Sequence, residues 1–381
     1  GPMTSPPLIK VGNEPNAHTY YSFRFGPRQP HYCLVSSPNP MQCSTEVRKM
    51  YCVKKNTPDN LQKILEFLLS GEAVSGEAIS QKLGISRNAV WKNVQTLKNM
   101  GFHIEAERNV GYRLQGEKLP DKLYPYLIFP ILSTKKLGNS IFWQEEIGST
   151  NDKAGELAKE GAEEGTIILA EKQTKGRGRR GRAWESEESL GIYMSAILRP
   201  KRPLAEAAPY TFLGAYAVLR VLEQYGLKPQ VKWPNDVFVG GRKISGVLAE
   251  LSAIGPDIRH IVLGIGLNVN QTEFSPDIPG TSLKIELQME LCRRAVLAAL
   301  LLHLEEGYEK LSQDVHWLIE IMKKYSILLG ERVTVTGGVE LEGIAEDIAS
   351  DGALLVRVVE NGEERVVKVW AGDVSVRKTE A

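Results

Sequence analysis

The spacing of apolar residues changes character from segment to segment. Residues 1–58 are rich in Pro, Asn, Ser and Tyr and hold no helical period. Within them Thr19–Phe25 and His31–Val35 read as short strands, interrupted by Pro27, Pro30, Pro38 and Pro40. This extension is a small β unit, an arm or a tail, and its role stays open. Residues 59–116 differ: Leu61, Ile64, Leu65, Leu68 and Leu69 recur at helical spacing, with Asp59 or Asn60 placed to cap the helix. Ser75-Gly76-Glu77 opens a second helix carrying Ile79 and Leu83, and Gly84-Ile85-Ser86 turns the chain into a third. That third helix runs from Arg87 to about Met100, buries Val90, Val94 and Leu97, and stops at Gly101. Two short strands follow, Phe102–Ala106 and Gly111–Leu114. Three helices with a glycine turn and a hairpin predict a winged helix-turn-helix.

Beyond a polar linker at 116–120, residues 121–325 alternate apolar β runs with helical ones. The strand expectations are Ile141–Trp143, Thr166–Glu171, Gly191–Leu198, Val231–Trp233, Val247–Glu250 and His260–Gly266. Ala205–Tyr225 and Glu290–Tyr308 predict long amphipathic helices. Residues 326–381 are β in pattern, with strands at Arg332–Thr336, Glu340–Ala345, Leu354–Val358 and Glu364–Trp370. Gly337-Gly338, Asp351-Gly352 and Asn361-Gly362 mark the turns between them. The expected architecture is multidomain α+β: the winged helix-turn-helix, a mixed-sheet core and a C-terminal SH3-like barrel.

Composition narrows this only slightly. The 381 residues are 42% hydrophobic and 24% charged, the values of an ordinary globular chain. Net charge is +1, so a nucleic-acid surface must come from local asymmetry. No apolar run reaches the roughly 18–20 residues that cross a bilayer, so no membrane role is expected. Four cysteines in a chain this long do not suggest a disulfide framework, and the reading is a reduced, cytoplasmic protein. His31 lies near Cys33, but the spacings of Cys33, Cys43 and Cys52 are too wide and irregular for a zinc site, and no metal ligands are assigned.

The chemistry concentrates in a few polar blocks. Gly176-Arg177-Gly178-Arg179-Arg180-Gly181-Arg182 cannot pack into a core; its guanidinium groups match phosphate and carboxylate oxygens. Gly148-Ser149-Thr150-Asn151-Asp152 lies at a strand-to-helix junction and is either a cap or a site for a polar ring. Lys232-Trp233-Pro234-Asn235-Asp236 and Arg242-Lys243-Ile244-Ser245-Gly246 are expected in one hairpin, where Asn235 and Asp236 bind ligand or simply make the turn. Gly264-Ile265-Gly266-Leu267-Asn268-Val269-Asn270 ends an apolar strand in two asparagines. Fixed donors without a metal cluster or nucleophilic pair suit phosphoryl or nucleotidyl transfer. On the third helix, Ser86, Arg87, Asn88, Trp91, Lys92 and Gln95 are types that read bases and hold phosphates, and Arg108 and Asn109 would form the wing tip.

In order, the blocks G-S-T-N, Q-x-x-G-R-G-R-x-G-R-x-W, K-W-P-N-D, K-I-S-G-V-L-x-E and G-I-G-L-N-x-N resemble those of biotin–protein ligases, from about residue 60 onward. The winged helix makes the chain similar to the bifunctional ligase and repressor form. The resemblance implies joining of biotin to ATP, giving biotinyl-5′-AMP, and transfer to a lysine of a biotin carboxyl carrier protein. It implies Ser149, Thr150, Asn151 and Gln173 on the biotin ring, with Gly191 beside the pocket floor. Arg177, Gly178, Arg179 and Lys243 would meet the carboxylate and α-phosphate. Lys232 and Asn235 would lie beside the phosphates and Mg²⁺, Asn268 and Trp184 on the adenylate side, and Asp236 would orient the attacking lysine. A flap that is mobile until ligand orders it, a homodimer in the liganded state and biotin operator DNA as partner complete the implied picture. The alternatives are a ligase whose winged helix is only structural, and a lipoate-type ligase.

Overall fold

The computed structural model describes residues 50–55, 57–116, 119–275, 279–337, 340–360, 362–370 and 375–378. The strand readings at 19–25 and 31–35 and the group His31, Cys33 and Cys43 lie outside those residues, as does the side chain of Cys52. The first element, β1 (Met50–Lys54), falls at the end of the stretch read as an extension. It runs antiparallel to residues 140–144 and supplies an edge of the central sheet. Nothing local signals this strand, because its partner lies some ninety residues downstream.

Next come α1 (Asn60–Leu68), α2 (Gly76–Leu83), α3 (Arg87–Asn99) and the hairpin of β2 (Ile104–Glu107) and β3 (Gly111–Leu114). Asp59, Ser75 and Ser86 cap the three helices by accepting from Gln62, Ala78 and Ala89 N–H groups at 2.8, 3.0 and 3.1 Å. Leu61, Ile64, Leu65, Leu68, Ile79, Val90, Val94 and Leu97 are buried as their spacing requires. Leu69 shares the spacing but lies past the helix end and is partly exposed. The short α4 (Pro125–Ile128) and the tyrosines beside it join this module to the core. Tyr124 donates to Met100 O at the end of α3 (3.2 Å), and its ring packs on Trp143 at 4.7 Å. Tyr126 donates to the capping carboxylate of Asp59 at 2.9 Å.

The core continues with β4 (Ser140–Ile147), α5 (Thr150–Lys159), β5 (Ile167–Gln173), β6 (Gly191–Leu198), α6 (Pro209–Gln224), β7 (Pro229–Lys232), β8 (Asp236–Val239), β9 (Arg242–Ile254) and β10 (Asp257–Asn268). The sheet order is β1-β4-β5-β6-β10-β9-β8-β7, with β4 and β5 parallel and the other neighbours antiparallel. Ala154 and Ala158 of α5 pack on Phe142, Ile168, Ile197 and Val262 of one sheet face. Alternate residues of the same strands face α6 and the later helix at residues 293–311 across the larger core. α7 (Leu283–Leu287), α8 (Arg293–Leu311) and α9 (His316–Tyr325) complete the layer. Residues 229–254 form two successive hairpins where one was expected. Gly240 and Gly241, with φ of 56° and 76°, give the chain a second tight reversal.

The C-terminal part is all-β: β11 (Arg332–Thr336), β12 (Leu341–Ile348), β13 (Leu354–Glu360), β14 (Glu363–Val369) and β15 (Ser375–Lys378), in the order β14-β13-β12-β11-β15. The last strand has no counterpart in the sequence reading. Trp233 of the core donates to Gly352 O at 3.0 Å, fastening this sheet to the β7–β8 turn.

One buried ion pair organises the core beneath the flap. Arg293 and Glu171 have fully buried side chains and bond at 2.8 Å. Glu171 also accepts from Leu123 N (2.6 Å), Trp143 Nε1 (3.0 Å) and Ser189 Oγ (3.2 Å). Burial pushes its carboxyl up, but Arg293, Lys122 and the Leu123 N–H outweigh burial and hold it below the usual carboxylate range.

Candidate functional site

A cavity of about 480 Å³ opens above β9 and β10. At one end, β4 delivers Ser149, Thr150 and Asn151 at the start of α5. Gln173 at the end of β5 accepts from Thr150 N at 2.8 Å and donates to Ser186 Oγ at 2.9 Å. Asn151 donates to Glu250 at 2.8 Å and accepts from Ser195 Oγ at 2.6 Å. Gly264 permits this arrangement, since a Cβ there would lie 2.1 Å from Asn151 Oδ1.

The cavity also carries cations. Arg177, Arg179, Arg180, Arg182, Lys232 and Lys243 all line the cavity. Lys243 pairs with Asp236 at 2.8 Å and lies 5.3 Å from the ring centre of Trp184. The Trp184 indole rests on Gly246 and Gly266, which face each other across β9 and β10. A Cβ at either would approach the ring to 2.9 or 2.4 Å, so the glycine pair forms its seat. Among the described residues the buried Trp184 Nε1 has no hydrogen-bond partner. Asn235 is buried and donates to Val247 O at 2.8 Å, while its own N–H donates to Lys232 O at 3.2 Å, so it makes the turn and lines the cavity at once.

The flap, for which like charge and glycine predict mobility without ligand, is anchored at its base by backbone hydrogen bonds. Thr174 and Lys175 N–H groups donate to Ile147 and Gly148 O at 2.9 and 2.8 Å, and Trp184 N donates to Gly176 O at 2.9 Å. The Arg177 guanidinium pairs with Asp152 and with Glu250, which relieves part of the cationic crowding. Two expected residues stand outside the cavity. Gly191 and Asn268 are cross-strand partners at the far ends of β6 and β10. Gly191 accepts from Arg293 at 3.1 Å, and Asn268 donates to Thr281 O at 3.0 Å, so both serve the scaffold below.

Val376 lines the cavity, and Ser195 and Glu250 support it from behind Asn151, although no role was read for them in the sequence. Ser195 is hidden in an apolar strand and Val376 in an unread one, while Glu250 closes a quoted block. In the helix-turn-helix, Ser86, Arg87, Asn88, Trp91 and Lys92 are exposed on one side of α3 and Gln95 is half-buried. Ser86 spends a lone pair on its cap, and Arg87 faces Glu77 at 3.6 Å. Arg108 and Asn109 are exposed at the hairpin tip, where Asn109 has a φ of 64°.

The Biotin/lipoate A/B protein ligase family model matches residues 143–268, which contain most of the cavity. An HTH domain matches 60–113, and the Biotin protein ligase C terminal domain matches 328–377. The bifunctional ligase/repressor BirA of Bacillus spizizenii is 37% identical, covering 80% of this chain and 94% of its own. The chain belongs to the biotin protein ligase family. Another member, the bifunctional ligase/repressor BirA of Escherichia coli, is 30% identical over 84% of this chain and 97% of its own. Among solved members, the biotin protein ligase from Aquifex aeolicus in complex with biotin and ATP superposes with a TM-score of 0.54 and 29% identity, covering 63% of this chain and 99% of that one.

Proposed function

We propose that this biotin protein ligase activates biotin with ATP to biotinyl-5′-AMP, passes the biotinyl group to a lysine of a biotin carboxyl carrier protein, and represses biotin-synthesis genes by binding operator DNA. The observation that carries this reading is the make-up of the cavity: hydrogen-bonding Ser149, Thr150, Asn151 and Gln173, cationic Arg179, Lys232 and Lys243, and apolar Met194, Val247 and Ile265 line one space. Ser149, Thr150, Asn151 and Gln173 take the ureido ring, whose paired donors and acceptors need partners of both kinds. Lys243 and Arg179 meet the carboxylate as it attacks the α-phosphorus and pyrophosphate leaves, stabilising charge that grows in the transition state. Arg177 and Gly178 close the flap, Trp184 offers its face to the adenylate, and Lys232 lies along the phosphates. In the second step the neutral lysine amine attacks the acyl carbon, AMP leaves, and Asp236 takes the proton.

Mg²⁺ enters with ATP in this scheme. Among the described residues no three His, Cys, Asp or Glu side chains converge on an ion. That donor set fits Mg²⁺ held chiefly by phosphates and waters, with Asn235 and Asp236 the nearby protein oxygens. We assign Arg87, Asn88, Trp91, Lys92 and Gln95 to the DNA groove, with Ser86, Arg108 and Asn109 at the phosphates. The homodimer reading is supported by β9. Its outer half, residues 247–254, pairs with β10 alone among the described residues and exposes Leu251 and Ile254. The C-terminal sheet, bent by a bulge at Ala345/Asp347, suits a small SH3-like barrel. Among the described residues no helix is long and apolar enough to cross a membrane, and we place the protein in the cytoplasm with its ATP and DNA.

The test is biotin-dependent pyrophosphate release from ATP, followed by transfer of labelled biotin to a carrier domain. Lipoate supporting the reaction in place of biotin overturns the substrate. Absence of operator binding with biotin and ATP present removes the repressor half.

A further inference from the structure

The block from Lys243 to Glu250 ends in a carboxylate to which the ligase scheme gives no task. We infer that Glu250 is a positioning residue of the ligation site, tying the ring-recognising Asn151 to Arg177 of the flap. The inference deepens the ligase reading and rests on it.

Glu250 lies on β9 and reaches both neighbours. Its Oε2 accepts from Asn151 Nδ2 at 2.8 Å and its Oε1 from Arg177 Nη2 at 3.3 Å. Asn151 Nδ2 also points to Leu248 O at 3.3 Å. Carboxylate and carbonyl oxygens only accept, so the amide nitrogen must face them and Oδ1 must face Ser195 Oγ, 2.6 Å away. The single Ser195 hydroxyl hydrogen is spent there. Thr150 Oγ1, 2.8 Å from Ser195 Oγ and 3.2 Å from Gln173 Oε1, therefore receives no hydrogen from Ser195 and gives its own to one of these two oxygens. Gln173 Oε1 is already served by the Thr150 backbone N–H at 2.8 Å. The Thr150 lone pairs are left for the cavity, presenting an acceptor to a ligand N–H. The direction of this chain of donors is set on β9 by Leu248 O and Glu250 together. Of the two, only Glu250 carries a charge that also reaches the flap, where Asp152 completes the grip on Arg177.

The variants separate the two contacts. Glu250→Gln keeps an acceptor for Asn151 but loses the ion pair, and Glu250→Ala loses both. With each side chain 40% exposed, the ion pair is a weak one. Tryptic cleavage within the flap of the unliganded protein and dissociation of biotinyl-5′-AMP should each quicken about two- to fivefold in Glu250→Gln, with KM for biotin held within about twofold. Glu250→Ala should in addition raise KM for biotin about tenfold while KM for ATP stays put. Glu250→Asp should restore part of the flap protection. Arg177→Ala should lose adenylate as Glu250→Gln does, and the two changes together should lose little more than either.

Wild-type flap cleavage and adenylate retention in both Glu250 variants overturns the inference, as does full additivity with Arg177→Ala. It also falls if Glu250→Ala lowers the melting temperature and raises both KM values alike. Should the wild-type protein release no pyrophosphate with biotin, the ligase reading fails instead, while the tryptic comparison still decides the tie.

Discussion

Gly264→Ala isolates the ring end of the site. An alanine Cβ at this position would lie 2.1 Å from Asn151 Oδ1, 2.9 Å from its Cγ and 3.1 Å from its Nδ2. Non-bonded atoms do not approach so closely, and the amide must retreat by about 1 Å. It cannot retreat freely, being held by Ser195 at 2.6 Å and Glu250 at 2.8 Å. Overpacking of this kind costs about 1–3 kcal/mol. A buried polar group left without its partner adds about 1–3 kcal/mol. The strand itself tolerates alanine, because Gly264 lies in regular β10 pairing with Leu248 and Ser195. The expected outcome is a folded enzyme with biotin affinity reduced about ten- to a hundredfold and KM for ATP within twofold. Calorimetric titration with biotin, and pyrophosphate release at varied biotin and varied ATP, measure this. A well-folded variant with undiminished biotin affinity would refute the placement of the ring at Asn151, and an equal rise in both KM values would mean a general loosening of the cavity.

Other changes probe other parts. Lys243→Ala should slow the first step about a hundred- to a thousandfold in pyrophosphate release, with operator binding unaffected. Glu171→Gln removes the buried partner of Arg293, leaving it the half-exposed Asp121 carboxylate at 3.4 Å, and should cost about 3–5 kcal/mol in denaturant unfolding. The wild-type carboxyl sits below its unfolded value, so its contribution is full above the ordinary carboxylate range and is lost as pH falls through the lower folded value. Acid unfolding of Glu171→Gln should therefore lose part of its steepness in that window. Lys92→Ala should weaken operator binding about equally on all sequences and reduce the salt dependence by about one counterion, read from binding at several salt concentrations.

Local chemistry was legible wherever one segment supplied both signal and structure. The caps at Asp59, Ser75 and Ser86 and the buried faces of α1 and α3 follow from spacing alone. So do the strands entering the site, because a buried strand must be apolar whatever its neighbours are. Thr150, Asn151, Gln173 and Lys243 stood out as polar residues at strand ends, and the structure brings them into one cavity. Residues whose role is set by a distant partner were not legible. Ser195 looks like a tolerated polar residue in an apolar run until Asn151 is placed against it. Asn268 lies in a block resembling a ligand motif and Gly191 opens an apolar strand, yet register pairs them with each other away from the cavity. The pairing of Arg177 depends on Asp152 and Glu250, which only folding assembles.

The position of β1 alters what a DNA-reading module means for this chain. Residues 50–54 lie before the helices and residues 140–144 after them, yet the two stretches are adjacent in one sheet. The helices are thus an insert between neighbouring strands of the enzyme, although in linear order they look like a leading attachment. A shortened chain that keeps this sheet edge must join residue 54 to the start of the next strand rather than begin at the helices. Trimming everything ahead of Asp59 would strip β4 of its flank and present an open row of peptide groups to whatever sheet edge it meets next.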